Sequence, residues 1–137
     1  MKQNSGLLSY GTYVPRRRLQ RSSIHGNNKW FAPGLGGLAK GEKAISGWDE
    51  DPITMAVEAG RNCVNSIDRS QVEALSLSST TLPFADRSNS GVVKEAMNLG
   101  DGISVSDRTG SMRAGTTALL DALHGNRTQL CLSLIHI

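Results

Sequence analysis

The clearest pattern of apolar and polar positions in this chain lies between Asp51 and Ser66. Apolar or small residues recur there at spacings of three and four, which places them on one side of a helix. Asp51 followed by Pro52 supplies an N-cap and the proline favoured in a first helical turn. The pattern predicts an amphipathic helix ending near Ser66, with an apolar side formed by Ile53, Ala56, Val57, Gly60, Cys63, Val64 and Ile67.

Three shorter stretches have the composition of buried β-strands. Gly6 to Val14 is β-prone and ends at Pro15, and it is predicted to be a buried first strand. Ala74 to Ser78 alternates apolar and polar residues, and Ile103 to Ser106 is the third stretch.

Two further helices are predicted beside these strands. Ser90 to Leu99 forms a short helix closed by Gly100, and Met112 to His124 forms a longer one ended by Gly125. Strands that alternate with helices indicate βαβ units. The expected fold class is therefore α/β, with a mainly parallel sheet and helices packed on it.

The remaining segments give weaker signals. Arg16 to Gly26 is basic with weak helical character, Asn27 to Gly41 is predicted to be a loop or arm, and Lys43 to Ile45 is expected to be extended. Thr80 to Asn89 is predicted to be a loop. The carboxylates of Asp49, Glu50 and Asp51 precede the long helix and are expected to cap it.

Charge and cysteine content narrow the functional classes. The net charge is +3, and much of the positive charge lies in Arg16, Arg17, Arg18 and Arg21. A solvated basic surface is expected, with a site for cofactor phosphates as the alternative. Aromatic residues make up only 4% of the chain, and this low content disfavours nucleic-acid binding.

Cys63 and Cys131 have neither metal-site spacing nor a disulfide framework, and Cys63 is predicted to be a small core residue.

The sequence contains no recognisable signal peptide and no apolar run of membrane-spanning length. These features predict a soluble, cytoplasmic protein without membrane or nucleic-acid partners.

Asp107 to Leu123, DRTGSMRAGTTALLDAL, has the form of a strand that turns through Gly110 into a helix. Backbone N–H groups and the positive end of the helix dipole converge at such a turn. Enzymes place nucleophilic thiols there because this field stabilises the thiolate. Here the turn contains Ser111, Met112 and Arg113, and no cysteine.

Four blocks in order resemble the N-terminal part of the hydroxymethylglutaryl-CoA synthase family: GLLSYGTYVPRRRL, KGEKAISGWDEDPITMAVEAGRN, SSTTLPFADRSNSGVVKEAMNLG and DRTGSMRAGTTALL. That family belongs to the thiolase superfamily, as do the type III ketoacyl-ACP synthases. The resemblance covers about Gly6 to Gly125 and implies a five-layer thiolase-like fold, of which this chain would hold an incomplete half.

The resemblance also implies an activity and partners. It implies Claisen-type condensation of acyl-CoA thioesters such as acetyl-CoA, with no bound cofactor or metal, in a homodimeric parent. In the family a cysteine takes the acyl group, a glutamate handles the proton of the second thioester, and a histidine from the C-terminal half assists. Some relatives work beside a small OB-fold/zinc-ribbon protein.

Aligned with the family, this chain lacks both N-terminal catalytic groups. Ala114-Gly115-Thr116 matches the Ala-Gly-Thr after the nucleophile and puts Met112 at the cysteine position. Pro83-Phe84-Ala85 matches the family's Pro-Tyr-Ala and puts Thr80 at the glutamate position. A thioether cannot form a transferable thioester, and threonine is not a base near neutral pH.

Neighbouring residues do not replace these groups. Ser111 is better explained as an N-cap than as a nucleophile, and no motif places His25 or His124 beside it. His124 in a last helical turn is favoured by the dipole, and Asp107 is expected at a strand end or as a cap. The sequence therefore assigns no catalytic, cofactor-binding or metal-binding residue.

The C-terminal residues have two explanations. Leu132 to Ile137 is the translation of CTG TCT CTT ATA CAC ATC, the mosaic end of a transposase-based sequencing adapter. We expect residues 1–129 to be the N-terminal part of a thiolase-like domain and 130–137 an adapter-derived tail. A natural β-strand is the alternative, because the stretch is β-prone. A truncated chain would expose unpaired strand edges, and we expect it to be insoluble or only loosely folded.

Three functions are compatible with this sequence. The first is an acyl-CoA condensing protein, of which this chain is an inactive fragment. The second is a non-catalytic thiolase-like subunit that binds acyl-CoA or acts as a scaffold. The third, a nucleic-acid module, has only Arg16 to Arg21 to support it.

Overall fold

The computed structural model describes residues 5–134 and divides the chain into two compact units. The first contains residues 5–13 and 51–134, and the second contains Val14–Glu50. Each is described by itself.

A three-stranded parallel sheet forms the centre of the first unit, as the alternation of strands and helices predicted. Its strands are β3 (Ala74–Ser79), β4 (Ser104–Arg108) and β5 (Gln129–Leu134), in the order β4-β3-β5. All six residues of β3 are buried, because it is the central strand and helices cover the sheet. The α/β fold class is confirmed.

Three helices accompany this sheet. They are α2 (Pro52–Val64), α3 (Asn89–Ala96) and α4 (Ala114–His124). Helices α2 and α3 pack with the leucines of β3 and β5 in one apolar core, formed by Ile53, Ala56, Val57, Val64, Val72, Leu75, Leu77, Val93, Met97, Leu99, Leu130 and Leu132. The other side of the sheet, which is rich in serine, meets α4.

Helix α2 begins as predicted. The Asp51 carboxylate accepts the Thr54 N–H at 2.7 Å, and the Thr54 hydroxyl accepts the Asp51 N–H at 2.9 Å, which completes a capping box. The Glu50 carboxylate accepts the Gly47 N–H. Cys63 is half-buried and packs against the core, as expected of a small core residue.

The prediction that Gly6 to Val14 forms a buried strand is wrong. The segment has no strand pairing within residues 5–134, and Leu7 is 71% exposed. Side chains on α2 hold it instead: Asn62 Nδ2 donates to the Thr12 carbonyl at 3.0 Å, and Ser9 Oγ donates to the Cys63 carbonyl at 2.6 Å. A β-prone sequence forms a strand only where a neighbouring strand supplies hydrogen bonds.

Two predicted helix boundaries shift for local reasons. Helix α3 ends at Ala96 rather than near Leu99, because Asn98 adopts the left-handed conformation (φ 52°) expected of Gly100. Helix α4 begins at Ala114 rather than Met112, because the preceding residues form a turn.

The second unit contains a two-stranded antiparallel sheet. Strand β1 (Arg17–Gln20) pairs antiparallel with β2 (Glu42–Ile45), and α1 (Arg21–Asn28) and a 3-10 helix (Pro33–Leu38) lie between them. The extended stretch at Lys43 to Ile45 is confirmed. The weakly helical segment overlaps α1. Strand β1 was missed, because its pairing with β2 overrides local propensity. The predicted loop contains the 3-10 helix.

Candidate functional site

The candidate site lies at the carboxyl edge of the parallel sheet, where β3 and β4 end. Leu77 is paired with Asp107 and Ser78 with Arg108, so the segments that follow the two strands leave the sheet at the same edge. One segment carries Thr80, directly after β3, and the other carries Met112 before α4. Ligands of open parallel sheets bind at this edge.

The turn before α4 has the predicted form. Gly110 has φ 81°, a left-handed conformation that favours glycine, and the chain then enters the helix. The Ser111 hydroxyl accepts the Arg113 N–H at 3.1 Å, and the Ser111 carbonyl accepts the Ala114 N–H at 3.1 Å. Met112 is 55% exposed at this turn.

The predicted N-cap role of Ser111 is corrected. Arg113 is the N-cap residue of α4 and contributes no side-chain capping bond. Ser111 forms a local turn that precedes the cap by two residues. The Ser111 hydroxyl still accepts an N–H group at this end of the helix, that of Arg113.

Asp107 caps α3, a role that sequence analysis gave as its default. Its Oδ2 accepts the Asn89 N–H at 2.7 Å, and its Oδ1 accepts the Ser90 N–H at 2.7 Å. Partial burial opposes the charge on this carboxylate, but the hydrogen bonds from Ser90 and Asn89 outweigh burial and lower the pKa of Asp107 below its ordinary 3.8.

Asn89 connects this cap to the loop that carries Thr80. Its side chain is 2% exposed; Nδ2 donates to the Phe84 carbonyl at 2.9 Å and to Asp107 Oδ2 at 3.0 Å. Asn89 Oδ1 accepts the Phe84 N–H at 3.0 Å. Both polar atoms of the buried Asn89 amide have hydrogen-bond partners. These hydrogen bonds hold the loop against the end of β4. Sequence analysis missed this residue, whose signal was an Asn-Ser pair opening a helix after a loop.

A polar cluster joins α4 to the serine-rich side of the sheet. Ser76 Oγ accepts from Arg108 Nε at 3.2 Å and from Ser106 Oγ at 3.3 Å. The Arg108 guanidinium also pairs with Asp121 on α4, with 2.7 Å between Nη1 and Oδ2. Cys131 is paired with Ser76 in the sheet, and burial raises the pKa of its thiol. A thiol in this environment is poorly suited to nucleophilic attack.

His124 does not join the site in the first unit. His124 lies in the last turn of α4, at the far end from Ser111, about 15 Å along the helix axis. His25 lies in α1 of the second unit. Among residues 5–134 no group of three His, Cys, Asp or Glu is positioned to hold a metal ion. No helix in that range is both long and apolar enough to cross a membrane.

The curated proteins with similar sequences include hydroxymethylglutaryl-CoA synthases. The chain is 33% identical to the hydroxymethylglutaryl-CoA synthase of Pyrococcus horikoshii over 120 residues, which cover 86% of this chain and 33% of that protein. The corresponding enzyme of Archaeoglobus fulgidus is 30% identical over 135 residues, covering 95% of this chain and 36% of its own. No family model matches.

The chain is similar to the hydroxymethylglutaryl-CoA synthases. It spans about one third of the length of the curated relatives it matches.

Solved structures with similar coordinates show the fold of this chain. MvaS in complex with 3-hydroxy-3-methylglutaryl coenzyme A has a TM-score of 0.73 at 21% identity, over 90% of this chain and 30% of that chain. The curacin-pathway HMG synthase in complex with an acetyl donor-ACP has a TM-score of 0.78 at 20% identity, over 89% and 30%. Ketoacyl-ACP synthase III from Thermus thermophilus has a TM-score of 0.69 at 19% identity, over 86% and 37%. The thiolase-like fold is thereby confirmed.

Replacing Asp107 with asparagine is expected to lower the free energy of unfolding by about 1–2 kcal/mol at pH 7, because α3 loses charge-assisted hydrogen bonds. Since the folded-state pKa is depressed, this contribution is present above the ordinary pKa of 3.8 and is lost as the pH falls through the folded value. Urea unfolding at pH 7 and in acid should therefore show a difference that narrows below about pH 4. Asp86→Asn, at an exposed ion pair, is the control and should change little. An equal effect of Asp107→Asn at both pH values would contradict the assignment.

Proposed function

We propose that this chain is the N-terminal part of a longer protein of the acyl-CoA condensing class, related to the enzymes that make hydroxymethylglutaryl-CoA by a Claisen-type reaction. The observation that carries the proposal is 33% identity to such a synthase over 86% of this chain. The turn at the N-terminus of α4 supports it, because its geometry suits an acyl-accepting side chain.

We further propose that the site in this chain is catalytically inactive. Met112 and Thr80 lie after the adjacent strands β4 and β3, in the positions that the family resemblance gives to its cysteine and glutamate. Neither side chain supplies an ionisable group near neutral pH. Ser111 has a hydroxyl, but within residues 5–134 its only side-chain hydrogen bond is the one it accepts from the Arg113 N–H, which is a turn contact.

Acyl-CoA is the ligand we propose for the longer protein, and the second unit has a surface suited to it. Seven of the fifteen Lys and Arg residues of the chain lie between Val14 and Glu50, against three of the twelve Asp and Glu residues. The rings of Trp30 and Phe31 lie 5.2 Å apart, and Trp30 is 82% exposed. Arginines bind phosphates and an exposed indole stacks on a base, so the unit combines the two groups that a nucleotide handle requires.

The test is incubation of the chain with radiolabelled acetyl-CoA, followed by acid precipitation and a separate measurement of CoA binding. We expect binding without acid-stable label. Trp30→Ala should weaken CoA binding about tenfold, as expected for loss of one stacked base. Leu7→Ala, an exposed apolar truncation in the first unit, is the control. Acid-stable label that disappears in Ser111→Ala would show a serine route and contradict the inactive-site proposal.

A second candidate is favoured by the same two residues, Met112 and Thr80. A thiolase-like subunit without its nucleophile and base could bind acyl-CoA or act as a scaffold for an OB-fold/zinc-ribbon protein. We propose this role for the longer protein if that full-length protein binds CoA and forms no acid-stable label. A homodimer and a cytoplasmic location are proposed with it; free Cys63 and Cys131 agree with a reducing compartment.

The origin of residues 130–137 is a separate proposal. We propose that they derive from a sequencing adapter, on the six-residue match at Leu132 to Ile137. The structure forms β5 through Leu134, as the β-prone composition favours whatever the origin, and residues 135–137 lie outside the described part of the chain. Long-read sequencing of the locus tests this: a native stop codon directly after Ile137 would refute the adapter origin.

A further inference from the structure

The connection between α3 and β4 contains an aspartate that is followed directly by a glycine. The chain has seven aspartates, and Asp101 is the one whose next residue is glycine. The Gly100 carbonyl accepts the Ile103 N–H at 3.4 Å, so Asp101 and Gly102 are the two central residues of a β-turn. This distance is longer than the usual range of about 2.7–3.2 Å, so the turn is only weakly closed.

The turn projects from a connection that is anchored on both sides. Leu99 is buried, and its N–H donates to the Lys94 carbonyl at 3.2 Å. On the other side Ser104 begins β4. Residues 100–102 are exposed between these anchors. The conformational freedom of the connection is therefore concentrated in the turn.

The side chain and the backbone nitrogen at this turn are both accessible. Asp101 is fully exposed, and its Oδ1 lies 3.1 Å from Lys94 Nζ in a surface ion pair, which restrains a side chain only weakly. Within residues 5–134 no acceptor holds the Gly102 N–H. A Cβ atom at Gly102 would have no atom within 4 Å. The Asp101 carboxyl carbon and the Gly102 nitrogen can therefore approach each other.

Other aspartates of the chain lack this combination. The carboxylates of Asp51, Asp68 and Asp107 accept backbone N–H groups, which hold them in place. Asp86 is exposed, but an arginine follows it. Asp101 thus combines an exposed carboxyl group with a following residue that has no side chain.

We propose that Asp101 is a site of spontaneous isomerisation to isoaspartate, and that the product is a substrate for a carboxyl methyltransferase specific for isoaspartate. The Gly102 nitrogen attacks Cγ of the protonated Asp101 carboxyl group. An N–Cγ bond forms, a Cγ–O bond breaks, and one water leaves with the amide hydrogen. Glycine favours this ring closure because it has no Cβ and allows a close approach of the backbone.

Water then opens the cyclic imide at one of its two carbonyl groups. Addition at Cγ restores aspartate. Addition at the main-chain carbonyl directs the chain through Cβ and Cγ and leaves a free carboxylate on Cα. An oxygen of this carboxylate can take a methyl group from a sulfonium donor such as S-adenosylmethionine, which leaves as a thioether.

The core tolerates this change because it lies in an exposed turn. Isomerisation inserts one methylene group into the main chain between α3 and β4. Asp107 caps α3 from the opposite end of β4, so its hydrogen bonds to Asn89 and Ser90 do not involve the turn. We therefore expect isoaspartate to accumulate in the folded protein, where the methyltransferase can reach it.

The test is ageing of the soluble, folded chain near neutral pH, followed by trypsin digestion and mass spectrometry. Peptide 95–108 contains Asp101 and Asp107, and peptide 70–87 contains Asp86. Isoaspartate has the mass of aspartate but a different retention time, and fragmentation assigns its position. We expect it to form at Asp101 at least about ten times faster than at Asp86. Incubation with the methyltransferase and labelled S-adenosylmethionine should label the aged protein only.

Gly102→Ala is the matched variant. The φ angle of Gly102 lies outside the left-handed region and a Cβ there has open space, so alanine fits this turn. It should slow isomerisation at Asp101 about tenfold and remove most of the methyl label, because the added methyl group hinders ring closure. Slow amide exchange in α2 shows that each protein is folded. If Gly102→Ala does not fold, the comparison with Asp86 decides.

A sample unfolded in urea gives the rate for an unrestrained chain. The folded protein should react within about tenfold of that rate, since the turn is open and weakly closed. A folded rate more than about a hundredfold lower would show that the turn is too rigid and would overturn the proposal.

Four other results would also contradict it: no isoaspartate in peptide 95–108, isoaspartate at Asp107 instead, equal rates at Asp101 and Asp86, or an unchanged rate in Gly102→Ala. Isoaspartate at Asp101 that accepts no methyl group would refute the methyltransferase part. None of these outcomes depends on acyl-CoA chemistry, so they are separable from the radiolabelling result.

Discussion

A Met112→Cys variant is expected to react with iodoacetamide about ten times faster at pH 7 than a His124→Cys variant at the other end of α4. The N-terminus of a helix carries partial positive charge, and Arg113 adds a full one beside it, so the new thiol should have a lowered pKa. The C-terminus of the same helix has the opposite field. A pKa one unit lower raises the thiolate fraction nearly tenfold near neutral pH.

Peptide-level mass spectrometry provides the measurement and an internal reference. Cys131 is present in both variants, and burial raises the pKa of its thiol, so it should react more slowly than the cysteine introduced by Met112→Cys. Equal alkylation rates for the two introduced cysteines would mean that the turn before α4 does not activate a thiol. The proposal that Met112 occupies a former nucleophile position would then lose its physical basis.

Leu77→Ala is expected to lower the free energy of unfolding by about 3 kcal/mol, the largest stability effect we predict. Leu77 is fully buried in the central strand, within the core shared by α2, α3 and β5. Truncation removes apolar burial and leaves a cavity that the neighbouring strands cannot fill, because their backbones are fixed by pairing.

Urea unfolding measures this loss, with Leu120→Ala as the matched control. Leu120 lies on α4 and is 49% exposed, so its truncation should cost less than about 0.5 kcal/mol. Similar losses for both leucines would show that the core around β3 is not tightly packed. That outcome would agree with the expectation that the chain is loosely assembled.

Local chemistry explains why some elements were predictable. Asp51 and Pro52 specify the start of α2 through groups within three residues of each other, and the structure has that capping box. The alternation in β3 was equally informative. Leu75 and Leu77 enter the core, while Ser76 and Ser78 lie on the opposite side of the strand, an arrangement that follows from the two-residue period of a strand.

The segment Gly6 to Val14 shows where such inference fails. Its composition is that of a strand, yet a strand requires a partner, and the sequence of the segment does not say where that partner lies. Within residues 5–134 the segment pairs with no strand. Asn89 is a comparable case: its role depends on Phe84 and on Asp107, which lies eighteen residues further along the chain.

The sequence by itself determined the α/β class, the family relationship and the identities of Met112 and Thr80. The class follows from short-range periodicity and the family relationship from four blocks that resemble the family, and neither needs coordinates. The tertiary structure alone decided that Asp107 and Asn89 fix the loop after β3, that α4 starts at Ala114, and that segment 5–13 is unpaired with β5. Those facts depend on contacts between residues distant in sequence, whose energies are decided by packing and hydrogen bonding rather than by local propensity.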